Sequence, residues 1–132
     1  MWITPRSSVL LSDAPALAAK ALAQAAAQPC GGTTPVVIVA CAADTSRAMH
    51  CGMACYPTDV AIALEHIALQ ATAEGRGTCW IGAFDQEAAR QAVGAPDGAV
   101  VVQLVPPGYP AVRTRAKDRL PMAEIVFEEV WR

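Results

Sequence analysis

The run Gly75-Arg76-Gly77-Thr78-Cys79-Trp80-Ile81-Gly82-Ala83-Phe84-Asp85 holds the residues best suited to receive a flat ligand. Gly75 and Gly77 can take positive φ and end a preceding helix, Cys79 to Ile81 read as a short apolar strand, and Asp85 can cap a helix starting near Gln86. Gly82 then stands where a strand stops. With no Cβ, it lets a planar ligand approach the main chain and meet an N–H donor, although the same glycine also suits an ordinary turn.

A second group could hold an anion. Four of the ten basic residues, Arg113, Arg115, Lys117 and Arg119, fall within seven positions just after Pro107-Gly108-Tyr109-Pro110. Lysine gives a point charge and arginine a forked pair of donors to phosphate oxygens, and alternate positions of an extended chain project to one side. A solvated loop has the same pattern. His50-Cys51-Gly52-Met53-Ala54-Cys55 gathers two thiols and an imidazole but lacks the second ligand pair of a structural zinc site, so it reads as ordinary thiols in a loop and no metal is expected. His66 falls within a helical apolar pattern and reads as a core or interface histidine. The sequence shows no Ser/His/Asp set, no paired carboxylates at the glycine junction and no phosphate-binding Walker loop, and Gly75-x-Gly77 lacks the third glycine of a dinucleotide fingerprint.

The elements that must position these groups follow from periodicity. Residues 1–12 carry no clear period and read as an arm. Ser12 or Asp13 can cap an alanine-rich helix running to Ala27, with Pro15 tolerated in its first turn, and Pro29 to Thr34 is a loop. Val36 to Ala42 is a continuous β-branched and apolar run, the mark of a strand covered on both faces. Asp44 to Thr58 reads as a loop. From Asp59 to Glu74, the spacing of Val60, Leu64, Ile67 and Ala71 gives one apolar helical stripe. A short helix from Gln86 to Val93 is closed by Gly94 and a turn at Ala95-Pro96-Asp97-Gly98, and Ala99 to Val105 is a second buried strand ended by Pro106 and Pro107. Val130 and Trp131 finish an extended tail.

At 132 residues with 54% apolar content, the chain is expected to be one globular domain, 1–132, burying roughly two thirds of its unfolded surface. A net charge of -2 argues against a nucleic-acid or anionic-membrane surface. No stretch reaches the roughly 20 apolar residues of a membrane span, and the first residues lack the pattern of a signal peptide. Five cysteines, odd in number and scattered, suit reduced thiols, and the expected location is cytoplasmic.

Taken in order, Asp59 to Ala71, the glycine junction, Pro107 to Pro110, Lys117-Asp118-Arg119-Leu120-Pro121 and Ile125 to Trp131 resemble the C-terminal part of the nitroreductase family of FMN-dependent NAD(P)H oxidoreductases. The resemblance runs from about Pro35 to Arg132. It implies an α+β fold, a mixed sheet flanked by helices, assembled as a homodimer with FMN at the subunit interface. It also implies that the backbone of Ile81, Gly82 and Ala83 lies along the isoalloxazine, that the Gly82 amide faces flavin N5, that Trp80 borders the ring, and that Lys117 and Arg119 hold the phosphate. No catalytic side chain is implied: NAD(P)H reduces the flavin and a nitroaromatic, quinone or similar acceptor then takes the electrons in ping-pong order. The family's Arg-Arg-Ser-x-Arg and Ala-Pro-Ser-x-Asn-x-Gln-Pro-Trp signatures do not occur, and Pro5-Arg6-Ser7-Ser8 carries one arginine in their place. The chain is therefore expected to correspond to a member truncated at its N-terminus. Two other readings follow from that: a non-catalytic dimerisation or flavin-binding module, or one part of a split enzyme. Arg76 stands where the family usually has an apolar residue.

Overall fold

The computed structural model describes residues 9–12, 36–112 and 118–130. The expected alanine-rich helix, Arg113, Arg115, Lys117 and Trp131 lie outside the described residues. Three strands form one sheet in the order β1-β2-β4, with β1 at Val9–Ser12, β2 at Val37–Ala42 and β4 at Val100–Val105. Every strand pairing among the described residues is antiparallel. Residues 9–12 are thus a strand rather than part of an arm. Four residues are too few to show a period, and it is their pairing with the distant β2 that makes them one.

β2 is central, and all six of its residues are buried. Val37, Val39 and Cys41 face one layer, where they pack with Val101, Leu104, Ile81 and Ala89. Ile38 and Ala40 face the other, against Val60, Leu64 and Val105. This is the two-sided cover that the unbroken apolar run of β2 calls for. Burial at the Cys41 site also pushes its thiol above the usual range.

The second layer is helix α1, Cys55–Ala73, which turns Val60, Leu64, Ala68 and Ala71 inward. It starts four residues before Asp59. Pro57 hides that start in the sequence, yet it is tolerated because first-turn amides have no intrahelical partner. Before the helix the chain makes a tight hairpin: Ala48 bridges Ala54, and the Met49 N–H donates to the Met53 carbonyl at 2.7 Å. His50 and Cys51 sit at its tip. At the other end of α1, Gly75 adopts φ 75°. Its N–H donates to the Thr72 carbonyl and the Arg76 N–H to the Ala71 carbonyl, the double closure of a Schellman motif.

The first layer is helix α2, Gln86–Ala92, closed in the same way at Gly94, with φ 62°. The Gly94 N–H donates to Gln91 and the Ala95 N–H to Arg90. A two-stranded ribbon, β3 (Gly77–Thr78) with β5 (Pro107–Gly108), joins the end of α1 to the end of β4. The short helix α3, Met122–Ile125, stands in a segment, 118–130, in which every residue is exposed. No helix among the described residues is long and apolar enough to cross a membrane.

Leu64 is 1% exposed and wedged between α1 and the sheet. Truncating it in Leu64→Ala should cost about 2 to 5 kcal/mol in denaturant unfolding, the usual range for a buried leucine. Gln70→Ala, on the exposed side of the same helix, should stay within about 0.5 kcal/mol. Equal effects from the two changes would contradict this packing.

Candidate functional site

The glycine junction lies along the outer edge of β4. A residue in an antiparallel strand points its N–H and C=O to one edge, and its neighbours point theirs to the other. Val101 and Leu104 are three apart, so in a regular strand they would serve opposite edges. The ladder between β2 and β4 is not regular: Ala40 pairs with Gln103 and Cys41 with Val101, so Val102 is an extra residue, a bulge. The extra residue restores the phase. Val101 and Leu104 now place their side chains in the same core cluster and their main-chain groups on the same outer edge.

Both positions on that edge are taken by the junction. The Ile81 N–H donates to the Leu104 carbonyl at 2.9 Å, and the Leu104 N–H donates back at 3.3 Å. At Val101 the partner is a side chain: its N–H donates to Gln86 Oε1 at 3.1 Å and its carbonyl accepts from Gln86 Nε2. Between these anchors, Asp85 caps α2 by accepting from the Ala88 N–H at 2.7 Å, as its residue type and place lead one to expect.

Of the residues expected to meet a cofactor, Trp80, Ile81, Gly82 and Ala83 come together here, in different environments. Ile81 is 1% exposed, its side chain in the core and both main-chain groups in the bridge to Leu104. Gly82 and Ala83 are exposed. No described residue accepts a hydrogen bond from the Gly82 amide. Its φ is not in the left-handed region, and a Cβ built on it would meet nothing within 4 Å. Neither backbone shape nor internal packing therefore requires glycine at 82, and the space it leaves opens outward. Trp80 is 41% exposed. Cys79 is exposed too, so the expected strand from Cys79 to Ile81 reduces to one bridge at Ile81, and the ladder sits earlier, at Gly77 and Thr78. Gly77 keeps an ordinary φ and serves that ladder, leaving the helix stop to Gly75 alone.

Arg119 is exposed, and Lys117 lies outside the described residues. Arg76 lies over the Tyr109 ring, 5.4 Å from its centroid, with its Nε 3.8 Å from Glu74. The cation and the aromatic ring flank the same end of the β3–β5 ribbon, one from each strand, and hold it from outside. Neither this pair nor the Gln86 contact carries a sequence signal, since both depend on which strand each residue lies beside. An open groove between α1 and the ribbon is lined by Ile38, His66, Ile67, Gln70, Arg76 and Pro107. It holds none of the expected cofactor residues. Among the described residues no three His, Cys, Asp or Glu side chains gather as a metal site, and Cys41, Cys51, Cys55 and Cys79 take part in no disulfide.

The Nitroreductase family profile matches residues 4–109, and the chain belongs to the nitroreductase family. The match reaches well before Pro35 and stops short of Arg119. A nitroreductase family protein from Clostridium novyi NT shares 36% identity over 73% of this chain and 58% of its own, with a TM-score of 0.68. NfrA1 from B. megaterium is 24% identical, with a TM-score of 0.82 over 98% of this chain and 60% of its own. An FMN-dependent nitroreductase from Clostridium difficile R20291 is 20% identical, with a TM-score of 0.76 over 95% of this chain and 76% of its own. The chain thus spans less than two thirds of the first two relatives. No curated protein matches it. The α+β class is that of the family.

The far end of α2 is pinned by charge. Arg90 donates to Glu87 at 2.7 and 2.9 Å, to Asp97 at 2.8 Å and to the Ala95 carbonyl at 3.0 Å. Hydrogen bonds from Arg90, and then from Gln91, hold the Glu87 carboxyl down at about 2. A carboxyl lowered by folding adds stability above its unfolded pKa, near 4.3, and loses it as pH falls through the folded value. By NMR titration Glu87 should still be ionised at pH 3. In Arg90→Gln its midpoint should rise toward the ordinary glutamate range; an unmoved midpoint would remove Arg90 as the cause.

Proposed function

We propose that this chain is an FMN-dependent oxidoreductase that works as a homodimer, with the exposed main chain of Gly82 and Ala83 meeting the flavin ring. The observation that carries the reading is the unexplained glycine: 82 has ordinary φ, open space where a Cβ would stand and an amide that no described residue uses. A planar ring against the main chain gives all three a reason. The residues present therefore fit the group. Gly82 would offer its N–H to N5, Ala83 would extend the contact, Trp80 would border the ring, Ile81 would hold the segment down from the core side, and Lys117 with Arg119 would hold the phosphate.

Bound FMN would supply the redox chemistry, a hydride accepted from NAD(P)H and then passed in ping-pong order to a nitroaromatic, quinone or similar acceptor. The protein's part is to bind, to aim one fixed dipole and to keep the ring face accessible in turn to donor and acceptor. The name of the Clostridium difficile relative, an FMN-dependent nitroreductase, agrees with this assignment.

A homodimer is favoured by what the single chain leaves open. Gly82 and Ala83 stand on an exposed ledge. Ile62 and Leu69, one helical face of α1, are 49% and 59% exposed, and Leu120, Met122, Ile125, Val126 and Val130 of the tail are all more than half exposed. Apolar surface of that extent is normally covered by another subunit. The setting we propose is the cytoplasm, in keeping with reduced thiols at Cys51 and Cys55.

Riboflavin, which lacks the phosphate, separates the two ends of the site. Wild type should bind FMN more tightly than riboflavin. In Lys117→Ala/Arg119→Ala the FMN affinity should fall at least about a hundredfold toward that of riboflavin, since two charge-assisted contacts are lost. Equal binding of both flavins by wild type, or FMN binding unchanged in the double variant, would overturn the phosphate assignment.

A further inference from the structure

We infer that Gln86 is the positioning residue of the flavin-facing segment: its carboxamide stands in for a strand on the outer edge of β4 and thereby sets the aim of the Gly82 amide. The inference rests on the proposed flavin site. It goes further by giving a surface side chain outside that site control over its geometry.

The two anchors stand close together along the chain. Ile81 is fixed by a reciprocal pair of main-chain bonds to Leu104. Gln86 makes a second reciprocal pair with Val101, one donor and one acceptor, the pattern that a neighbouring strand's peptide would offer. Only Gly82, Ala83, Phe84 and Asp85 lie between. A span of four residues with both ends bonded to the same strand has little freedom to rotate its peptide planes, and the plane that carries the Gly82 N–H adjoins the first anchor. Without the second anchor the span keeps the Ile81 bridge, the half-buried Phe84 against the core cluster and the helix that follows, but nothing ties it to Val101.

Gln86 is not needed merely to dock α2. Ala89 is fully buried in the core cluster, with Ala92 and Val93 packed against it, so the helix has its own apolar attachment. The helix start is likewise already capped by Asp85. What the carboxamide adds is registry: it ties the first residue of α2 to one particular residue of β4. The bulge at Val102 is what turns Val101 outward to accept it.

The chemistry of the pair gives a sharp test. Leucine fills similar space with neither hydrogen bond. A carboxylate keeps the acceptor for the Val101 N–H but sets a second oxygen against the Val101 carbonyl, while a neutral carboxylic acid restores one donor and one acceptor. The full chain as wild type, Gln86→Leu and Gln86→Glu is titrated with FMN and with riboflavin, and the midpoint potential of the bound flavin is measured at pH 8 and pH 5. In Gln86→Leu both flavins should bind about three- to tenfold more weakly by the same factor, because the ring is common to them. The potential should rise, since a donor to N5 favours the oxidised ring. Gln86→Glu should match Gln86→Leu at pH 8 and move toward wild type at pH 5, a recovery that Gln86→Leu should not show.

Wild-type affinity and potential in Gln86→Leu, or a loss confined to FMN, would overturn the inference while leaving the flavin site standing. If Gln86→Leu does not fold, Gln86→Glu decides alone: behaviour like wild type at both pH values overturns the inference. No uptake of either flavin by wild type would overturn the proposed function itself, and this inference with it.

Discussion

The ladder between β2 and β4 is the constraint on which the rest of the structure depends. β2 is buried on both faces, so its pairing with β4 is specified residue by residue, and a slip of one position would send every core side chain to the wrong layer. Within that ladder one extra residue, Val102, changes the phase of β4. Before it Val101, and after it Leu104, face the same layer and the same edge. The segment that carries Gly82 hangs from those two residues, so its position is settled by the core rather than by the loop itself.

Much of this was legible in the sequence where information is local. The β-branched run of β2, the stripe Val60, Leu64 and Ala71, the cap at Asp85, the helix stops at Gly75 and Gly94 and the strand to Val105 all follow from the residue types and their spacing. What was not legible is long-range. β1 is a strand because β2 lies beside it. The bulge shows only when β4 is set against β2. Cys79 and Trp80 read as part of a strand because they sit in an apolar run, but among the described residues the chain there bridges β4 only at Ile81 and leaves both exposed.

The site was legible to a similar degree. Gly82 could be singled out from its place at a strand end, but the stronger reason appears only in three dimensions: among the described residues neither backbone shape nor a neighbour requires glycine there. Ile81 has a different part from its neighbours, since its side chain and both main-chain groups are committed to the core and to Leu104. Gln86 gave no signal at all. A glutamine at the start of a helix is ordinary, and its meaning comes entirely from the strand residue it reaches. Arg76 is similar: its partner, Tyr109, is brought near by the pairing of Gly77 with Gly108.

These relations make the proposal specific: the exposed Gly82 amide, fixed to the core through Ile81, would be the group that meets the flavin ring. An FMN titration followed by nitrogen-edited NMR tests it at the atom concerned. The Gly82 cross-peak should move downfield with the saturation that flavin fluorescence reports, Ala83 should move with it, and Gln91 on the exposed side of α2 should stay in place. Saturable FMN binding with a stationary Gly82 peak would contradict the account.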